Sequence, residues 1–393
     1  MSRYLPQIAY VSTYVPKRCG LATYTKHLRD AVTSAKGPAA PDPVVAICDS
    51  GELGHYGDVF FLPLLKNDRR GYRAMADRIN QSAVDVVSLQ HEFGIFGGER
   101  GKFVLDFLER LTKPVATTFH TVFEQPPPAY ATVQAEVVRL SDRVHVMNRK
   151  AAGLLQHQYG VPPDKIEWIP HGAPVPAAGD RRSARRRFGW ERRKVVFQFG
   201  LLSRSKGIEL VLRALARSVR DVPDLLYVIA GQTHPEVLKG EGEAYREELA
   251  ALIRALGLGS HVRMIDRYVP ERELVALLAA ADLFVTPYPG AQQITSGTLA
   301  YAAGLGRPIL STPYSYAKDL MQGDERLLLP YGDADAWSAK LVELFTTPGL
   351  LAEWERKMAA IGRDMHWPQV GERHLRMLAA TAAVQKKGMA GVV

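Results

Sequence analysis

The chain has 393 residues, of which 47% are hydrophobic and 23% are charged, and its net charge is +9. These values are ordinary for a soluble globular protein, and the length favours two domains. No apolar run approaches the roughly 18 residues of a membrane span. The two cysteines, Cys19 and Cys48, exclude a disulfide framework and a cysteine-based zinc site. We therefore expect a cytoplasmic protein without a signal peptide.

The first half of the chain alternates short apolar runs with helical patterns. Continuous Val/Ile/Leu runs of this kind predict a parallel sheet that helices cover on both faces. The predicted strands are Ile8–Ser12, Val44–Ile47, Val59–Leu62, Val84–Leu89, Val115–Phe119, Val144–Met147 and Ile166–Ile169.

Polar residues follow three of these strands, where ligands bind in such sheets. Gly20, with Arg18 beside it, lies in a Pro/Gly loop that would admit a ligand to the backbone. His91 and Glu92 come just after another strand, and His120 directly follows a third. We expect all of these in a ligand cleft; the alternatives are a tight turn, a surface loop and a structural histidine. A metal role for the His-Glu pair is not favoured, because no second ligand has helical spacing.

The segment Pro170–Asp180 is rich in proline and glycine and predicts a linker. The strand and helix pattern then begins again, which indicates a second doubly wound domain facing the first. The predicted strands are Val195–Phe199, Leu225–Ala230, Val262–Ile265, Leu283–Thr286, Ile309–Ser311 and Leu327–Leu329.

Two turns in this half suit a diphosphate. Gly200–Gly207 follows a strand, and Gly200 lets a ligand approach while Arg204 and Lys206 offer cationic donors. After Thr286, a loop rich in Gln, Thr, Ser and Gly ends at a predicted helix N-terminus, which also favours a phosphate. An ordinary strand–helix turn with exposed basic residues is the alternative for the first of these.

The basic segment Arg181–Lys194 holds much of the excess positive charge. A solvated helix face is the first interpretation, and docking on an anionic membrane is the second. Nucleic acid is the least favoured, because no aromatic-interleaved basic motif accompanies the charge. The phosphate-binding Gly-x4-Gly-Lys-Ser/Thr loop, the Gly-x-Gly-x-x-Gly turn and the Gly-x-Ser-x-Gly elbow do not occur.

Taken together, these motifs resemble the retaining GT-B glycosyltransferases of family 4. The resemblance rests on Pro16–Gly20, Phe119–His120, Ile169–Gly172, Phe199–Gly207, Val228–Gly231, Ala281–Tyr288, Gly306–Pro308 and a C-terminal segment from His366. It implies two Rossmann-like domains, at 1–176 on the acceptor side and 177–365 on the nucleotide-sugar side. A helix at 366–393 would pack back on the first domain.

The resemblance also implies roles for single residues. Lys206 would hold the donor diphosphate, Gly20 would lie against the phosphates, and His120 would reach the donor sugar. Arg267 and Tyr268 would bracket the base, and the amides of Thr295, Ser296, Gly297 and Thr298 would bind phosphate. No metal or cofactor is expected, since the nucleoside-diphosphate sugar is a substrate.

Three positions depart from the family pattern. Two glutamates eight positions apart, one for the sugar hydroxyls and one for the ribose, are replaced here by Gln293 and Tyr301. The usual arginine of the diphosphate turn is Leu201, and Arg204 is a candidate substitute.

The predicted function is transfer of a hexose, with retained configuration, from a nucleoside-diphosphate sugar to a glycan, lipid-linked or small-molecule acceptor. Catalytic roles fall to His120, Lys206 and Arg204, and acceptor contacts to Arg18, His91 and Glu92. The alternatives are a glycoside phosphorylase of the same fold and a non-catalytic sugar-nucleotide-binding scaffold. Peripheral contact with the inner face of an anionic membrane is a further expectation.

Overall fold

The computed structural model describes residues 5–57, 60–176, 181–321 and 323–390. It separates into two compact units, the first made of Met1–Gly172 with Trp367–Val393 and the second of Ala173–His366. The predicted linker Pro170–Asp180 contains this first boundary, and its residues 177–180 lie outside the described ranges.

The first unit is built on a seven-stranded parallel sheet of order β3-β2-β1-β4-β5-β6-β7. Its central strands are buried along their whole length, as expected for a sheet that helices cover on both faces. The strands are β1 Ile8–Ser12, β2 Val44–Cys48, β3 Phe61–Leu65, β4 Val86–His91, β5 Val115–Phe119, β6 Arg143–Val146 and β7 Ile166–Trp168. The helices between them are α1 Gly20–Lys36, α2 Arg69–Asn80, α3 Phe103–Arg110, α4 Pro128–Leu140 and α5 Arg149–Tyr159.

The second unit repeats the design with a five-stranded parallel sheet of order β10-β9-β8-β11-β12. The strands are β8 Lys194–Phe199, β9 Leu225–Ala230, β10 Val262–Ile265, β11 Leu283–Thr286 and β12 Ile309–Ser311. The helices are α6 Arg181–Phe188, α7 Ile208–Ser218, α8 Pro235–Glu241, α9 Ala244–Ala255, α10 Glu271–Ala280, α11 Gly297–Gly304, α12 Ser315–Leu320, α13 Ala334–Thr346 and α14 Leu350–Arg363. Two doubly wound parallel sheets confirm the predicted α/β class.

The last helix, α15 Trp367–Ala390, belongs to the first unit and packs on α1. The packing is close, since a Cβ added at Gly371 would lie 2.6 Å from the backbone carbon of Ala31. Trp367 meets Tyr24 of α1 edge-on, with 5.5 Å between the ring centroids.

Three predicted strands were placed wrongly. The strand predicted at Val84–Leu89 lies at Val86–His91. Leu327–Leu329 is not a strand, because only Leu328 forms a single parallel bridge, to Ser311. The strand predicted at Val59–Leu62 lies at Phe61–Leu65 instead, and Val59 is outside the described residues.

Candidate active site

The turn after β8 depends on glycines. Gly231 has φ 144°, and a Cβ there would lie 1.9 Å from the carbonyl oxygen of Gly200. Gly207 has φ 59°, and its Cβ would lie 1.9 Å from the carbonyl oxygen of Pro287. The turn is therefore pressed against the start of the loop that leads to α11, and Lys206 lies beside Gly200.

A chain of polar groups joins Lys206 to the N-terminus of α11. The Lys206 Nζ lies 4.6 Å from the centroid of the Tyr288 ring and 3.5 Å from its hydroxyl. That hydroxyl is 3.0 Å from Thr298 Oγ1, which lies 3.2 Å from Ser296 Oγ. Ser296 caps the helix by accepting a hydrogen bond from the Leu299 N–H. The structure thus brings together Lys206, Ser296 and Thr298, three of the predicted donor-site residues.

This arrangement has the chemistry of an anion site. The first amides of α11, from Gly297 and Thr298, have no carbonyl partner within the helix. The N-terminus of α11, where the polar chain from Lys206 ends, therefore carries positive partial charge. An ammonium and two amides at one helix end are suited to a phosphate group.

The loop before α11 holds the remaining polar residues of the predicted site. Gln293 is exposed, and its Nε2 donates to the carbonyl oxygen of Thr295 at 2.8 Å. Thr295 Oγ1 is buried without a hydrogen-bond partner in the described part of the chain. Tyr301 lies on α11, one helical turn after Gly297, and its hydroxyl donates to Glu271 Oε1 at 3.0 Å.

Arg204 does not join this group. Its guanidinium forms two hydrogen bonds to Glu248, at 2.6 and 2.7 Å, and one to Glu241 at 3.3 Å. These carboxylates, Glu248 foremost, raise the pKa of Arg204 above its usual range. A guanidinium satisfied by two carboxylates is poorly placed to take over from the missing arginine of the turn, whereas the Lys206 ammonium lies beside Tyr288.

Arg267 and Tyr268 follow β10, where the resemblance places the base. Arg267 pairs with Glu273 at 2.5 Å, and Tyr268 is 41% exposed. The Tyr268 ring thus presents part of its surface to solvent.

In the first unit, His120 lies at the end of β5. Its Nε2 is 3.0 Å from Gln90 Oε1, an atom that only accepts, so Nε2 carries the proton. Burial, with the nearby His171, His145 and His91, holds the pKa of His120 well below its usual range. The ring is therefore neutral near pH 7, and Nδ1 is its hydrogen-bond acceptor.

Two of the three residues predicted beside the acceptor, His91 and Glu92, have different environments. Glu92 accepts hydrogen bonds from Thr121 Oγ1 at 2.6 Å and from the Phe93 N–H at 3.0 Å, and burial raises its pKa. His91 is fully buried, and its ring packs against Phe93, Phe96 and Phe119. The prediction of an acceptor contact was wrong for His91, because β4 extends to it and directs its side chain into the core.

The loop before α1 is open. A Cβ added at Gly20, the first residue of α1, would meet no atom within 4 Å, and Arg18 is exposed on the loop before it. Cys19 caps α1, its Sγ accepting from the Ala22 N–H at 3.3 Å. Among the described residues no group of three His, Cys, Asp or Glu side chains could hold a metal ion.

Sequence reasoning missed three residues that shape these sites: Gln90, Tyr24 and Tyr288. Gln90 fixes the His120 tautomer, and Tyr24 meets the His120 ring edge-on with centroids 4.9 Å apart. A glutamine inside the apolar run before His91 was the available signal, because buried polar groups need partners.

Two family models match the chain. Glycosyl transferases group 1 matches residues 193–347 and Glycosyltransferase Family 4 matches residues 26–175. The chain is 25% identical over 304 residues to the D-inositol 3-phosphate glycosyltransferase of Rhodococcus jostii, covering 72% of this chain and 64% of that one. It is 28% identical over 267 residues to a GDP-mannose-dependent alpha-(1-6)-phosphatidylinositol monomannoside mannosyltransferase of Mycolicibacterium smegmatis, covering 64% of each. The chain thus spans less than two thirds of the length of these relatives.

Solved structures share the fold. Anabaena HepE in complex with UDP and glucose has a TM-score of 0.74 at 15% identity, over 95% of this chain and 100% of that one. Sucrose-phosphate synthase of Thermosynechococcus elongatus has a TM-score of 0.68 at 15% identity, over 98% of each. With the family models, these likenesses confirm the predicted family and fold: the chain belongs to glycosyltransferase family 4 and has the GT-B fold.

Proposed function

We propose that the protein is a retaining glycosyltransferase that moves a hexose from a nucleoside-diphosphate sugar to a hydroxyl of a carbohydrate, lipid-linked or small-molecule acceptor. The observation that carries this proposal is the polar chain from Lys206 through Tyr288 to Thr298 and Ser296 at the start of α11. The names of the relatives, which specify a sugar nucleotide and inositol-based acceptors, support it.

The proposed mechanism is mainly electrostatic. The leaving diphosphate gains negative charge as the sugar acquires oxocarbenium character, and the Lys206 ammonium with the amides of Gly297 and Thr298 stabilises that charge. The leaving phosphate oxygen takes the proton of the acceptor hydroxyl on the same face, so no enzymic nucleophile is needed. His120, being neutral, accepts a hydrogen bond from a sugar hydroxyl through Nδ1.

The donor is tested first with the purified protein. Thermal shift and release of nucleoside diphosphate are measured with uridine-, guanosine- and adenosine-diphosphate sugars. We expect one base to stabilise the protein and its sugar nucleotide to be slowly hydrolysed. Stabilisation by no sugar nucleotide, but by inorganic phosphate with a glycoside, would instead support a phosphorylase. Binding without turnover would support a scaffold.

That no metal or cofactor takes part stays a prediction. Turnover of the same donor in excess EDTA tests it, and a loss of activity that Mg²⁺ or Mn²⁺ restores would contradict it.

We also propose peripheral contact with an anionic membrane through the exposed part of the basic segment Arg181–Lys194. Several of its cations are used within the unit: Arg181 pairs with Glu355 at 2.7 Å, Arg185 with Asp282 at 3.0 Å, and Arg193 donates to backbone carbonyls. The exposed ones are Arg182, Arg186, Arg187 and Arg192. No helix of the described chain is long and apolar enough to cross a membrane.

Co-sedimentation with phosphatidylglycerol vesicles tests this contact. We expect binding that weakens as salt rises and falls when the four exposed arginines are changed to serine. Phosphatidylcholine vesicles serve as the uncharged control. Binding that neither salt nor the substitutions reduce would remove the proposal.

A further inference from the structure

The turn Gly200–Gly207 carries two cations, and each lies against a buried tyrosine ring. The Arg204 guanidinium carbon is 5.2 Å from the centroid of the Tyr245 ring, and the Lys206 Nζ is 4.6 Å from that of the Tyr288 ring. Tyr245 is 4% exposed and Tyr288 is 3% exposed. Within one turn the chain therefore offers two cation–π contacts that can be compared directly.

The two cations differ in whether a carboxylate neutralises them. Glu248 and Glu241 pair with Arg204, at 2.6 and 3.3 Å. Lys206 makes no ion pair with any residue that the structure describes, and its ammonium lies against the ring and the hydroxyl of Tyr288 instead. An aromatic ring holds a cation without cancelling its charge, whereas a carboxylate cancels it. The Lys206 ammonium thus keeps its full positive charge for an incoming anion.

The Tyr288 ring has a fixed place in the unit. It stacks on the ring of Tyr314, with centroids 5.3 Å apart and an angle of 26° between the two planes, and Tyr314 is itself buried. The Tyr288 carbonyl oxygen accepts a hydrogen bond from Thr312 Oγ1 at 2.6 Å. Close packing of this kind leaves the ring one orientation, against which a flexible side chain can be held.

The backbone of Lys206 is fixed as well. Its carbonyl oxygen accepts from Gln198 Nε2 at 3.0 Å, and its N–H donates to the carbonyl oxygen of Ser203 at 2.9 Å. Beyond this anchor the four-carbon side chain can rotate, and that freedom has to be restricted before the ammonium can act at one point. The Tyr288 ring is the group placed to restrict it.

From this geometry we infer that Tyr288 is a positioning residue, whose ring face holds the Lys206 ammonium toward the leaving diphosphate without neutralising it. Tyr288 acts through Lys206 and need not touch the substrate. Its hydroxyl is 3.0 Å from Thr298 Oγ1, so the ring that holds the ammonium adjoins the N-terminus of α11. Leu201, at the position of the family's arginine, adds no charge to the turn. The inference rests on the proposed function, to which it adds a residue.

A double-mutant cycle separates this positioning role from a structural one. The turnover of the donor identified by the screen is measured for Tyr288→Leu in the wild-type chain and in the Lys206→Ala background. We expect kcat to fall about tenfold in the first and less than about twofold in the second, with the KM for the donor little changed. The reason is that removing the ring matters only while there is an ammonium to hold. Tyr288→Phe keeps the ring, so its kcat should stay within about threefold of the wild type.

Tyr245→Leu is the matched control for the cycle. It removes the similarly buried ring beside Arg204, the cation that carboxylates already neutralise. We therefore expect its effect on kcat to be the same with and without Lys206. If Tyr288→Leu does not fold, Tyr288→Met replaces it in the cycle, because methionine fills more of the same space without a ring. Melting temperatures of all variants are measured beside the rates.

Carbon–proton NMR of lysines labelled at Cε gives a readout that needs no substrate. Protons near the face of an aromatic ring are shifted upfield, so we expect one upfield lysine signal in the wild type. It should disappear in Lys206→Ala and in Tyr288→Leu, and persist in Tyr288→Phe and Tyr245→Leu.

Three results would overturn the inference: no upfield lysine signal in the wild type, an equal loss of kcat from Tyr288→Leu in both backgrounds, or a Tyr288→Phe variant as slow as Tyr288→Leu. A wild type that turns over no donor contradicts the proposed function instead. The NMR signal then decides by itself whether the Tyr288 ring holds the ammonium.

Discussion

The polar clusters of the two units differ in charge. Around Lys206 the second unit keeps an ammonium within reach of a helix N-terminus. Around His120 the first unit keeps an imidazole neutral, because burial and three other histidines oppose its protonation. The first arrangement suits a diphosphate and the second suits hydroxyl groups, which is why the proposed function assigns the leaving diphosphate to Lys206 and a sugar hydroxyl to His120.

The same contrast extends through the units. Five histidines of the first unit have lowered pKa values: His91, His120, His145, His171 and His374. In the described part of the second unit, His234, His261 and His366 are all partly exposed. Protonating those five histidines of the first unit at acid pH therefore costs free energy.

The largest expected effect is that of Lys206→Ala. We expect kcat to fall by about 10²–10³-fold, because the ammonium acts on charge that develops in the transition state. Arg204→Ala is the matched control: it removes a cation two residues away that Glu248 and Glu241 already neutralise. The measurement is the turnover of the identified donor by the two variants and the wild type. Equal losses in both variants would mean that the turn acts through its net charge and not through Lys206.

Acid should destabilise the first unit before the second. Burial lowers the pKa of His145 and of His171 to about 4, from 6.5. Below pH 6.5 these two histidines are therefore protonated in the unfolded chain while they stay neutral in the folded chain. The free energy of unfolding then decreases as the pH falls from 6.5 to about 4, by about 3 kcal/mol in total for each histidine.

Hydrogen exchange followed by mass spectrometry at about pH 7.5 and about pH 5 checks this, once rates are corrected for intrinsic exchange. Peptides from β5, β6 and α15 should lose protection at the lower pH, while those from β8 and β9 serve as the internal control. Equal changes in both units would show that the buried histidines do not set the acid response.

A smaller effect is expected from the neutral histidine. His120→Ala should lower kcat/KM by about 10–10²-fold through loss of a fixed acceptor for a sugar hydroxyl. Because the pKa of His120 is depressed, the wild-type rate should stay flat as the pH falls to 6.5 and decline only below it. Gln90→Leu is measured beside it, because this change removes the hydrogen bond that fixes the His120 tautomer and keeps the imidazole ring. A wild-type rate that already declines between pH 8 and 7 would contradict a neutral His120.

The sequence predicted the sheets well and the side-chain partners poorly. Strands such as β9 and β11 were located to the residue because their apolar runs end at Gly231 and Pro287. Leu327–Leu329 satisfies the same pattern, yet it finds a partner at one residue only. Whether an apolar triplet becomes a strand depends on a neighbouring edge that local sequence does not encode.

The site residues also divide into those that a local sequence feature identifies and those that depend on contacts between distant parts of the sequence. Lys206 was identified because it lies in a glycine turn after a strand, a local feature. The pairing of Arg204 with Glu248 joins residues 44 apart, and the contact of Tyr288 with Lys206 joins residues 82 apart. His91 was placed wrongly because β4 runs two residues beyond the predicted end, which puts its side chain in the core.

The smallest expected effect concerns Tyr301, where the family pattern has a glutamate. Its hydroxyl donates to Glu271 on α10, so a carboxylate is present beside this position even though Tyr301 itself is uncharged. Tyr301→Phe removes one hydrogen bond to a charged group, and we expect the KM for the donor to rise about fivefold, with kcat little changed. Glu271→Gln keeps the hydrogen bond but removes the charge, so it separates the two contributions. If both variants bind the nucleoside diphosphate as tightly as the wild type, neither Tyr301 nor Glu271 contacts the donor, and Gln293 then has to be tested as the sugar-binding residue by itself.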